Sequence, residues 1–397
     1  MKKILVVNDF TIFPIVHGGK VRIFNIYQNI SSNFQIIYVC LGENPKIQNK
    51  IISENFHEIS VPKTFFYKII IFITNLMMRS SVDDFGALFF ASSNLQLKKV
   101  IRKELAECDI VIFCHPYMYP AVAPYIRNQL VIYEALNVEY ALKKSILSNG
   151  YLKNILLDRL RMTGQALLKR CDLCFAMSED DKQLFTQVYD VDTSKIKVAP
   201  NGVDLEYYTE IYKSRLIKKE QIISAPLILF LGSGHPPNVE SAKQIIRNIA
   251  PKLPNVYFLI AGSVCWTIRN ENHGKNVGFA YLITDEEKRE LFRVTNVAIN
   301  PMMSGSGTNL KMLDYMAAGL PVVSTAVGAR GINLKNGIHA IICDIDAFPE
   351  KISDVINDKN LSEFLSSNGR DLVKAHYVWK EIAELMVNEI KNATGKK

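Results

Sequence analysis

Residues 300–325 constrain the fold of this chain more than any other segment, because they combine a strand end, a turn, a helix and a second strand. The short apolar strand that opens the segment is followed by a glycine-punctuated run, 304–308, which cannot continue it. From Leu310 apolar residues recur at helical spacing, Gly319 is a typical helix stop, and residues 321–325 are typical of a buried strand. This order predicts an αβ crossover within a parallel sheet.

The turn in this segment is a predicted anion site. Five residues supply its backbone N–H groups: Gly305, Ser306, Gly307, Thr308 and Asn309. These groups add to the positive end of the helix dipole and favour phosphate at the carboxyl edge of the sheet. On the helix, Lys311 and Asp314 lie opposite the apolar stripe. A lysine can offset diphosphate charge and a carboxylate can accept hydrogen bonds from ribose hydroxyls, so the segment predicts a nucleotide site.

Strand and helix patterns alternate along the whole chain, as they do in doubly wound parallel sheets. The strands are near-continuously apolar, as buried parallel strands require. The predicted strands are 3–7, 35–40, 109–114, 129–134, 173–177 and 196–199, then 227–231, 256–261, 297–300, 321–325 and 339–343. The predicted fold class is therefore α/β, with two Rossmann-like doubly wound domains.

The length of 397 residues exceeds the size at which one core keeps growing, which also favours two domains. We expect the first domain to cover residues 1–205 and the second to cover 225–375. Residues 206–224 lack a clear apolar period and are predicted to be a connector. Residues 376–397 are expected to form a C-terminal helix.

Composition excludes some classes of partner. Apolar residues make up 48% of the chain and charged residues 22%, which is typical of a soluble globular protein. The net charge is +8, with the excess mainly in residues 1–200, where 24 Lys and Arg face 18 Asp and Glu. Such a bias suits an anionic membrane surface or a plain solvated surface. Arginine-rich runs and interleaved aromatic and basic residues are missing, so nucleic acid is not an expected partner.

The seven cysteines are an odd number, scattered singly apart from Cys171 and Cys174, and indicate a reducing, cytoplasmic location. We interpret that pair as buried structural thiols. The most apolar window, Phe65 to Met78, is too short to span a membrane. Two interpretations of it stay open: a helix lying on a membrane surface, which would make the protein peripheral, and a core-facing helix of the first domain.

Several stretches, in a fixed order, resemble motifs of retaining glycosyltransferases with the GT-B fold, family 4 (glycosyl transferases group 1). Besides 300–325 they are His17-Gly-Gly19, Asn137-Val-Glu139, Ser178 to Asp181, Lys197 to Asp204 and Gly232 to Glu240. The family has two glutamates eight positions apart; Asp314 occupies the second position, which binds the donor's ribose, and Ser306 occupies the first. The resemblance implies an acceptor-binding first domain and a nucleotide-sugar-binding second domain that face each other across a cleft, with the last helix crossing back to the first.

The resemblance also implies an activity, the retaining transfer of a sugar from a nucleotide-diphosphate donor to an acceptor hydroxyl. The expected setting is cell-surface polysaccharide or glycoconjugate synthesis. The expected partners are the nucleotide sugar and a glycan or lipid-linked acceptor, with peripheral contact to an anionic membrane. We expect no cofactor beyond the donor substrate and no metal.

Further site residues follow from the same resemblance. Gly18 and Gly19 would cap the donor diphosphate, although a Gly-Gly pair is also an ordinary tight turn. His17 would lie near the acceptor. His115 would lie near the donor sugar as a hydrogen-bond donor or proton shuttle, the alternative being a loop histidine that caps a backbone carbonyl. Glu139 would orient acceptor hydroxyls, or else be a solvated glutamate at a helix start.

The chain departs from the family in a second place. Many members carry an Arg and a Lys after the first strand of the second domain, where this chain has Gly232-Ser-Gly-His-Pro-Pro-Asn238. Lys311, the turn amides and His235 would then have to balance the diphosphate charge, with Lys311 as a catalytic group. Two alternatives remain: a degenerate, non-catalytic partner subunit, and an epimerase or phosphorylase on the same fold.

Overall fold

The computed structural model of the protein describes residues 1–78, 82–147, 150–217, 225–305 and 307–395. The chain forms two compact units. The first contains Met1–Pro200 together with the last segment from Lys380, and the second contains Asn201–Trp379. Each unit is an α/β layer structure around its own sheet, which confirms the predicted fold class.

The described part of the first unit contains an eight-stranded sheet in the order β3-β4-β2-β1-β5-β6-β7-β8. Its strands are β1 (Lys3–Val7), β2 (Gln35–Gly42), β3 (Gln48–Ser53), β4 (Phe56–Pro62), β5 (Ile110–Phe113), β6 (Leu130–Glu134), β7 (Leu173–Ala176) and β8 (Ile196–Val198). All neighbours pair in parallel except β3 and β4, which form an antiparallel hairpin at one edge. Ile4 to Val7 and all of β5 are fully buried, as strands covered by helices on both faces must be.

Helices of the first unit connect these strands. They are α1 (Gly18–Ile30), α2 (Phe65–Met78), α3 (Asp83–Phe90), α4 (Leu95–Glu107), α5 (Tyr119–Val122), α6 (Glu139–Ile146), α7 (Tyr151–Arg170) and α8 (Glu179–Tyr189). Helix α8 begins as predicted, because the hydroxyl of Ser178 accepts a hydrogen bond from the N–H of Asp181 at 3.0 Å. The thiols of Cys171 and Cys174 are both buried.

The described part of the second unit contains a six-stranded, fully parallel sheet in the order β11-β10-β9-β12-β13-β14. Its strands are β9 (Leu227–Leu231), β10 (Tyr257–Ala261), β11 (Val277–Ala280), β12 (Val297–Asn300), β13 (Val322–Ser324) and β14 (Ile341–Ile342). Its helices are α9 (Leu205–Ile217), α10 (Pro236–Gln244), α11 (Val264–Ile268), α12 (Asp285–Val294), α13 (Leu310–Ala317), α14 (Ala326–Ala329), α15 (Phe348–Asn357) and α16 (Lys359–His376). The crossover predicted from 300–325 is β12, α13 and β13, in parallel register from Ala298 opposite Val322.

The predicted connector differs from what the structure shows. Residues 205–217 form helix α9, in which Tyr208 and Ile211 are buried against the core of the second unit. The helix has almost no apolar periodicity, so the sequence pattern could not reveal it. The remaining part of the predicted connector, 218–224, lies outside the described residues.

The last helix, α17 (Trp379–Gly395), leaves the second unit and packs on the first. The ammonium of Lys391 donates to the side-chain oxygen of Asn33 at 2.9 Å, and Glu389 lies 3.8 Å from the ammonium of Lys197. Within the residues that the structure describes, none of the helices has the length and apolar content needed to cross a bilayer.

Helix α2 buries only a narrow stripe, Tyr67, Ile71 and Met78, against the first unit. Its other apolar side chains are exposed to solvent: Phe65, Phe66, Ile69, Ile70, Phe72, Ile73, Leu76 and Met77. The segment is therefore a helix that packs on the core of the first unit through one stripe and leaves the rest of its apolar surface exposed.

Candidate functional site

Both sheets have the strand order of doubly wound folds, in which the order of successive strands across the sheet reverses at one point, the switch point. That point lies between β1 and β5 in the first unit and between β9 and β12 in the second. Ligands of such sheets bind outside the carboxyl ends of the strands at this position. Most of the predicted site residues lie at one or the other of these two places, and each place is described by itself.

At the switch point of the first unit, His115 follows β5 and faces two polar residues that follow β1. Its Nδ1 atom lies 3.0 Å from Oδ1 of Asn8 and 2.9 Å from Oδ1 of Asp9. Its Nε2 atom lies 3.4 Å from Oε1 of Glu139, the first residue of α6. The histidine therefore contacts side chains from two other segments and does not cap a backbone carbonyl.

The environment of His115 fixes its charge. Burial by itself lowers the pKa of the imidazole, but the carboxylates of Glu139 and Asp9 outweigh burial and raise the pKa to about 9. The ring is therefore an imidazolium at neutral pH, with both N–H groups directed at protein oxygens. An imidazolium can donate hydrogen bonds but cannot accept a further proton. The predicted role of His115 as a proton shuttle stays untested.

Glu139 is not a solvated glutamate. Only 3% of the residue is exposed. It accepts hydrogen bonds from the hydroxyl of Tyr117 at 2.7 Å and from the side-chain amide of Asn137 at 3.3 Å. Four residues further along α6, the buried ammonium of Lys143 pairs with the carboxylate of Asp84 in α3. The carboxylates and cations of this cluster thus balance one another inside the first unit.

Asn8, Asp9 and Asp84 were not among the predicted site residues. A signal for the first two exists in the sequence, because Asn8 and Asp9 end the apolar run of β1 next to the strand that precedes His115. Asp84 gives no such signal, since its contact with Lys143 depends on how α3 and α6 pack. In the described part of the chain, no group of three or more His, Cys, Asp or Glu side chains is arranged to hold a metal ion.

The predicted glycine loop lies beside this cluster. Helix α1 begins at Gly18, and its N-cap residue His17 makes no side-chain cap bond, so the first N–H groups of the helix have no cap from that side chain. The rings of His17 and His115 both contact Phe10, at centroid distances of 5.2 Å and 5.7 Å. Burial, with the nearby charges of Lys20 and His115, lowers the pKa of His17, so this second ring is neutral at pH 7. The fold therefore brings His17, Gly19, His115 and Glu139 into one region.

In the second unit, the predicted turn joins β12 to α13. Gly305 and Gly307 have φ angles of +124° and +69°, which residues other than glycine rarely adopt. The hydroxyl of Thr308 is buried and makes no hydrogen bond to a described residue. Asn309 is the N-cap residue of α13, and its side-chain amide donates to the carbonyl of Gly328 at 3.1 Å. Ser306 lies outside the described residues.

Lys311, in the first turn of α13, contacts helix α10 and strand β9. Its ammonium donates to Oδ1 of Asn238 at 2.6 Å and lies 4.3 Å from the ring centroid of Phe230. Burial lowers the pKa of Lys311 to about 7, because its contacts in the described residues supply no carboxylate to offset the cost of the charge. The lysine is therefore placed at the switch point with its charge uncompensated.

Asp314 lies almost one turn further along α13. Its Oδ2 atom accepts from the ammonium of Lys288 at 3.3 Å, and that ammonium also donates to the hydroxyl of Tyr208 at 3.0 Å. About a quarter of each charged side chain is exposed. The sequence pattern does not mark Lys288 or Tyr208 as site residues, because Lys288 lies in α12 and Tyr208 in the predicted connector.

His235, the other group expected to supply positive charge at this site, contributes little charge at neutral pH. His235 precedes α10, and burial lowers the pKa of its ring, so it is neutral at pH 7. Arg330 was not predicted, yet its guanidinium donates to the carbonyl of Gly305 at 2.7 Å, on the turn itself. Arg330 thus supplies a positive charge close to where the family's Arg and Lys pair is missing.

Two family models match the chain, one on each unit. Residues 18–207 match the model described as Glycosyltransferase Family 4, and residues 225–358 match the model described as Glycosyl transferases group 1. The chain belongs to the group 1 glycosyltransferases.

Curated relatives of this glycosyltransferase are distant. An uncharacterized 44.6 kDa protein in the cps region of Klebsiella pneumoniae is 25% identical over 177 residues, which cover 41% of this chain and 45% of the relative. A D-inositol 3-phosphate glycosyltransferase of Mycolicibacterium smegmatis is 25% identical over 217 residues, covering 50% of this chain and 48% of the relative. The matches thus span about half the length of these relatives.

Solved structures of similar fold cover the whole glycosyltransferase. Sucrose-phosphate synthase from Thermosynechococcus elongatus matches with a TM-score of 0.76 and 14% identity, covering 100% of both chains. The Anabaena protein HepE, solved in complex with UDP-glucose, matches with a TM-score of 0.68 and 13% identity, covering 99% of this chain and 100% of HepE. At these identities the matches establish the GT-B fold alone.

Proposed function

We propose that the protein is a retaining glycosyltransferase that moves a sugar from a nucleotide-diphosphate donor to an acceptor hydroxyl, without a metal or a further cofactor. The acceptor would belong to a cell-surface polysaccharide or glycoconjugate. The observation that carries the proposal is the uncompensated Lys311 at the switch point of the second unit.

Three sources of positive potential converge at this position. They are the ammonium of Lys311, the N-terminus of α13 with the N–H groups of the glycine turn, and the guanidinium of Arg330 on Gly305. A diphosphate bound there would restore the full charge of Lys311, since an adjacent anion raises the pKa of an ammonium. The unpartnered hydroxyl of Thr308 offers a further donor in the same turn.

The rest of a nucleotide sugar suits the neighbouring residues. Asp314 has a carboxylate that is partly exposed and can accept hydrogen bonds from ribose hydroxyls while Lys288 stays paired with it. HepE was solved in complex with UDP-glucose, which supports a nucleotide sugar as the donor of this chain too.

In the first unit, the carboxylates of Asp9 and Glu139 would hold the acceptor side. These carboxylates can accept hydrogen bonds from sugar hydroxyls, and His115, whose two N–H groups face protein oxygens, would hold the carboxylates in position. His17 and the N–H groups of Gly18 and Gly19 lie next to the same cluster and would meet the donor phosphates or the acceptor.

The chemistry then consists mainly of electrostatic stabilisation. Lys311 and the turn amides would stabilise the charge that develops on the leaving diphosphate, which removes the need for a metal ion. A phosphate oxygen would accept the proton of the attacking hydroxyl on the face that the leaving group departs from, which yields retention of configuration.

The direct test is a transfer assay with UDP-, GDP- and ADP-sugars and a panel of glycan and lipid-linked acceptors. Product configuration is assigned by NMR of the anomeric proton. We expect an axial donor to give an axial product, and we expect Lys311→Ala and Asp314→Ala to abolish transfer while folding is retained. Unaffected turnover in both variants would remove these residues from the mechanism.

The same assay separates the alternatives. Conversion of the donor to a stereoisomer without acceptor would indicate an epimerase, and phosphate-dependent release of sugar phosphate would indicate a phosphorylase. A degenerate partner subunit is favoured by Ser306 and by the missing Arg and Lys after β9. That alternative predicts weak or absent nucleotide binding.

A further inference from the structure

Helix α2 presents an apolar face far larger than a solvated helix normally carries. Phe65, Phe66 and Phe72 are 72–73% exposed, and Leu76 and Met77 are 72% and 70% exposed. Helical spacing places 65, 69, 72 and 76 in one stripe and 66, 70, 73 and 77 in the next, so the face is two stripes wide. A contiguous exposed patch of this kind marks an interaction surface.

The polar groups of α2 are already engaged within the protein. The hydroxyl of Thr74 donates to the carbonyl of Ile70 at 2.8 Å, and the amide of Asn75 donates to the carboxylate of Asp83 at 2.9 Å. The one charged residue of the helix, Lys68, pairs with Glu43 at 3.2 Å. The exposed face itself thus offers only hydrocarbon and aromatic rings.

The helix is fixed to the body of the first unit and can present this face rigidly. The hydroxyl of Tyr67 donates to the carbonyl of Asp83 at 2.6 Å, and the N–H of Val82 donates to the side chain of Asn75 at 2.7 Å. Both bonds join α2 to the start of α3. The exposure is therefore a property of the folded unit.

A basic segment begins near a contact with α3. Lys143 of α6 pairs with Asp84 of α3, and its ammonium lies 5.8 Å from the ring of Phe85. From this contact onward, residues 140–170 contain seven Lys and Arg against a single acidic residue, Asp158. Exposed cations and exposed apolar side chains both occur along it: Lys144, Ile146, Tyr151, Ile155, Arg159, Arg161 and Met162.

We propose that the exposed face of α2 inserts into the interfacial region of an anionic lipid bilayer, with the exposed cations Lys144, Arg159 and Arg161 facing the lipid headgroups. A face without hydrogen-bonding groups suits acyl chains, whereas protein interfaces carry about one hydrogen bond per 100–200 Å². Its 14 residues are too few to span a bilayer but suit a helix lying in the interface plane. The positive segment supplies the charge complementarity that selects an anionic surface.

A chain of contacts links α2 to the His115 cluster of the first unit. Helix α2 contacts α3, Asp84 of α3 pairs with Lys143 of α6, and Glu139 at the start of α6 contacts His115. The bilayer surface would therefore be three contacts from the cluster assigned to the acceptor. On the proposed function, this favours a lipid-linked acceptor taken from the membrane surface.

The test is co-sedimentation of the full chain with vesicles, without any substrate, so that its outcome is independent of transfer activity. We expect binding to vesicles of phosphatidylcholine with phosphatidylglycerol, weaker binding to phosphatidylcholine alone, and release at high salt. The variant F72E/L76E should lower binding about tenfold or more. The matched control L282E/I338E changes exposed apolar residues of the second unit and should bind like the parent protein.

Depth is measured with tryptophan variants and lipids brominated in their acyl chains. The fluorescence of Phe72→Trp should be quenched by such vesicles, and that of the control Leu282→Trp should not. Failure of the parent protein to bind, unchanged binding of F72E/L76E, or equal binding to neutral and anionic vesicles would overturn the proposal. An oligomer that F72E/L76E dissolves without any vesicle binding would instead assign the face to a second copy of the chain.

Discussion

In both units the strand order reverses at one point, and each unit places a cation there, yet the two cations have opposite surroundings. His115 lies between the carboxylates of Asp9 and Glu139, which raise its pKa to about 9. Lys311 lies between the amide of Asn238 and the ring of Phe230, and burial lowers its pKa to about 7. The charge of His115 is compensated by carboxylates of the protein, whereas the charge of Lys311 has no such partner among its contacts in the described residues.

This difference assigns the two positions different tasks. A compensated cluster holds its own geometry and interacts with neutral, hydroxyl-rich ligands through hydrogen bonds. An uncompensated ammonium in a buried position is costly in the free protein and gains most from a diphosphate. The comparison therefore predicts that the second unit dominates donor affinity and that the first unit dominates pH-dependent stability.

The largest effect is expected from Lys311→Ala. Because no second ammonium among the described residues contacts Asn238, removing this charge should lower kcat/KM for transfer by about 100- to 1000-fold, the range found when one preorganised electrostatic contact is lost. Steady-state kinetics with the donor found to bind would measure it. Lys275→Ala, which removes an exposed lysine of the same unit, is the control and should leave kcat/KM unchanged. Equal loss in both variants would mean that general surface charge matters, not this position.

The second effect concerns the stability of the first unit. The pKa of His115 is raised from 6.5 to about 9 in the folded state, so its contribution is complete below about pH 6.5 and is lost as the pH rises through about 9. That contribution amounts to about 3 kcal/mol. Hydrogen exchange of β1 and β5 amides from pH 6 to 10 would follow it.

His115→Gln should flatten this pH profile, whereas the control His376→Gln, at an exposed position of the second unit, should not. A parent protein whose β1 and β5 amides are equally protected at pH 6 and pH 10 would contradict the compensated cluster.

The smallest effect tests the neighbour of Lys311. If Asp314 accepts hydrogen bonds from ribose, Asp314→Asn should weaken the preference for a nucleotide over its 2′-deoxy analogue by roughly tenfold, since a bond to a charged acceptor becomes a neutral one. Competition titrations with both nucleotides would measure the ratio. Asp371→Asn, on exposed α16, is the control. An unchanged ratio in Asp314→Asn would place the ribose elsewhere.

Much of the fold follows from the sequence, because buried parallel strands are apolar almost throughout. The strand β9 was predicted to the residue, and β1 likewise. The hairpin of β3 and β4 was missed, since β3 is an exposed polar edge strand that depends on pairing with its neighbour. Helix α9 was missed because its periodicity is almost absent.

The candidate site was predictable only where its residues lie close together in the sequence. The turn of 304–308 with Lys311 and Asp314 is one continuous segment, so spacing along the helix revealed it. The partners of His115 lie 106 and 24 positions away in the sequence, at Asp9 and Glu139, and only the pairing of β1 with β5 brings the first of them close. Lys288 likewise reaches Asp314 through the packing of α12.

The most direct test of the central claim is a calorimetric titration of UDP-, GDP- and ADP-glucose at pH 8, in two buffers with different ionisation enthalpies. These sugar nucleotides have no phosphate group that titrates near neutral pH, so proton uptake reports the protein. If Lys311 has a pKa of about 7 when free and is charged when the diphosphate binds, the parent protein should take up about 0.9 proton with the sugar nucleotide that it recognises. The Lys311→Ala variant should take up none. Tight binding by the parent protein without proton uptake would contradict the claim that Lys311 is the uncompensated charge that meets the donor.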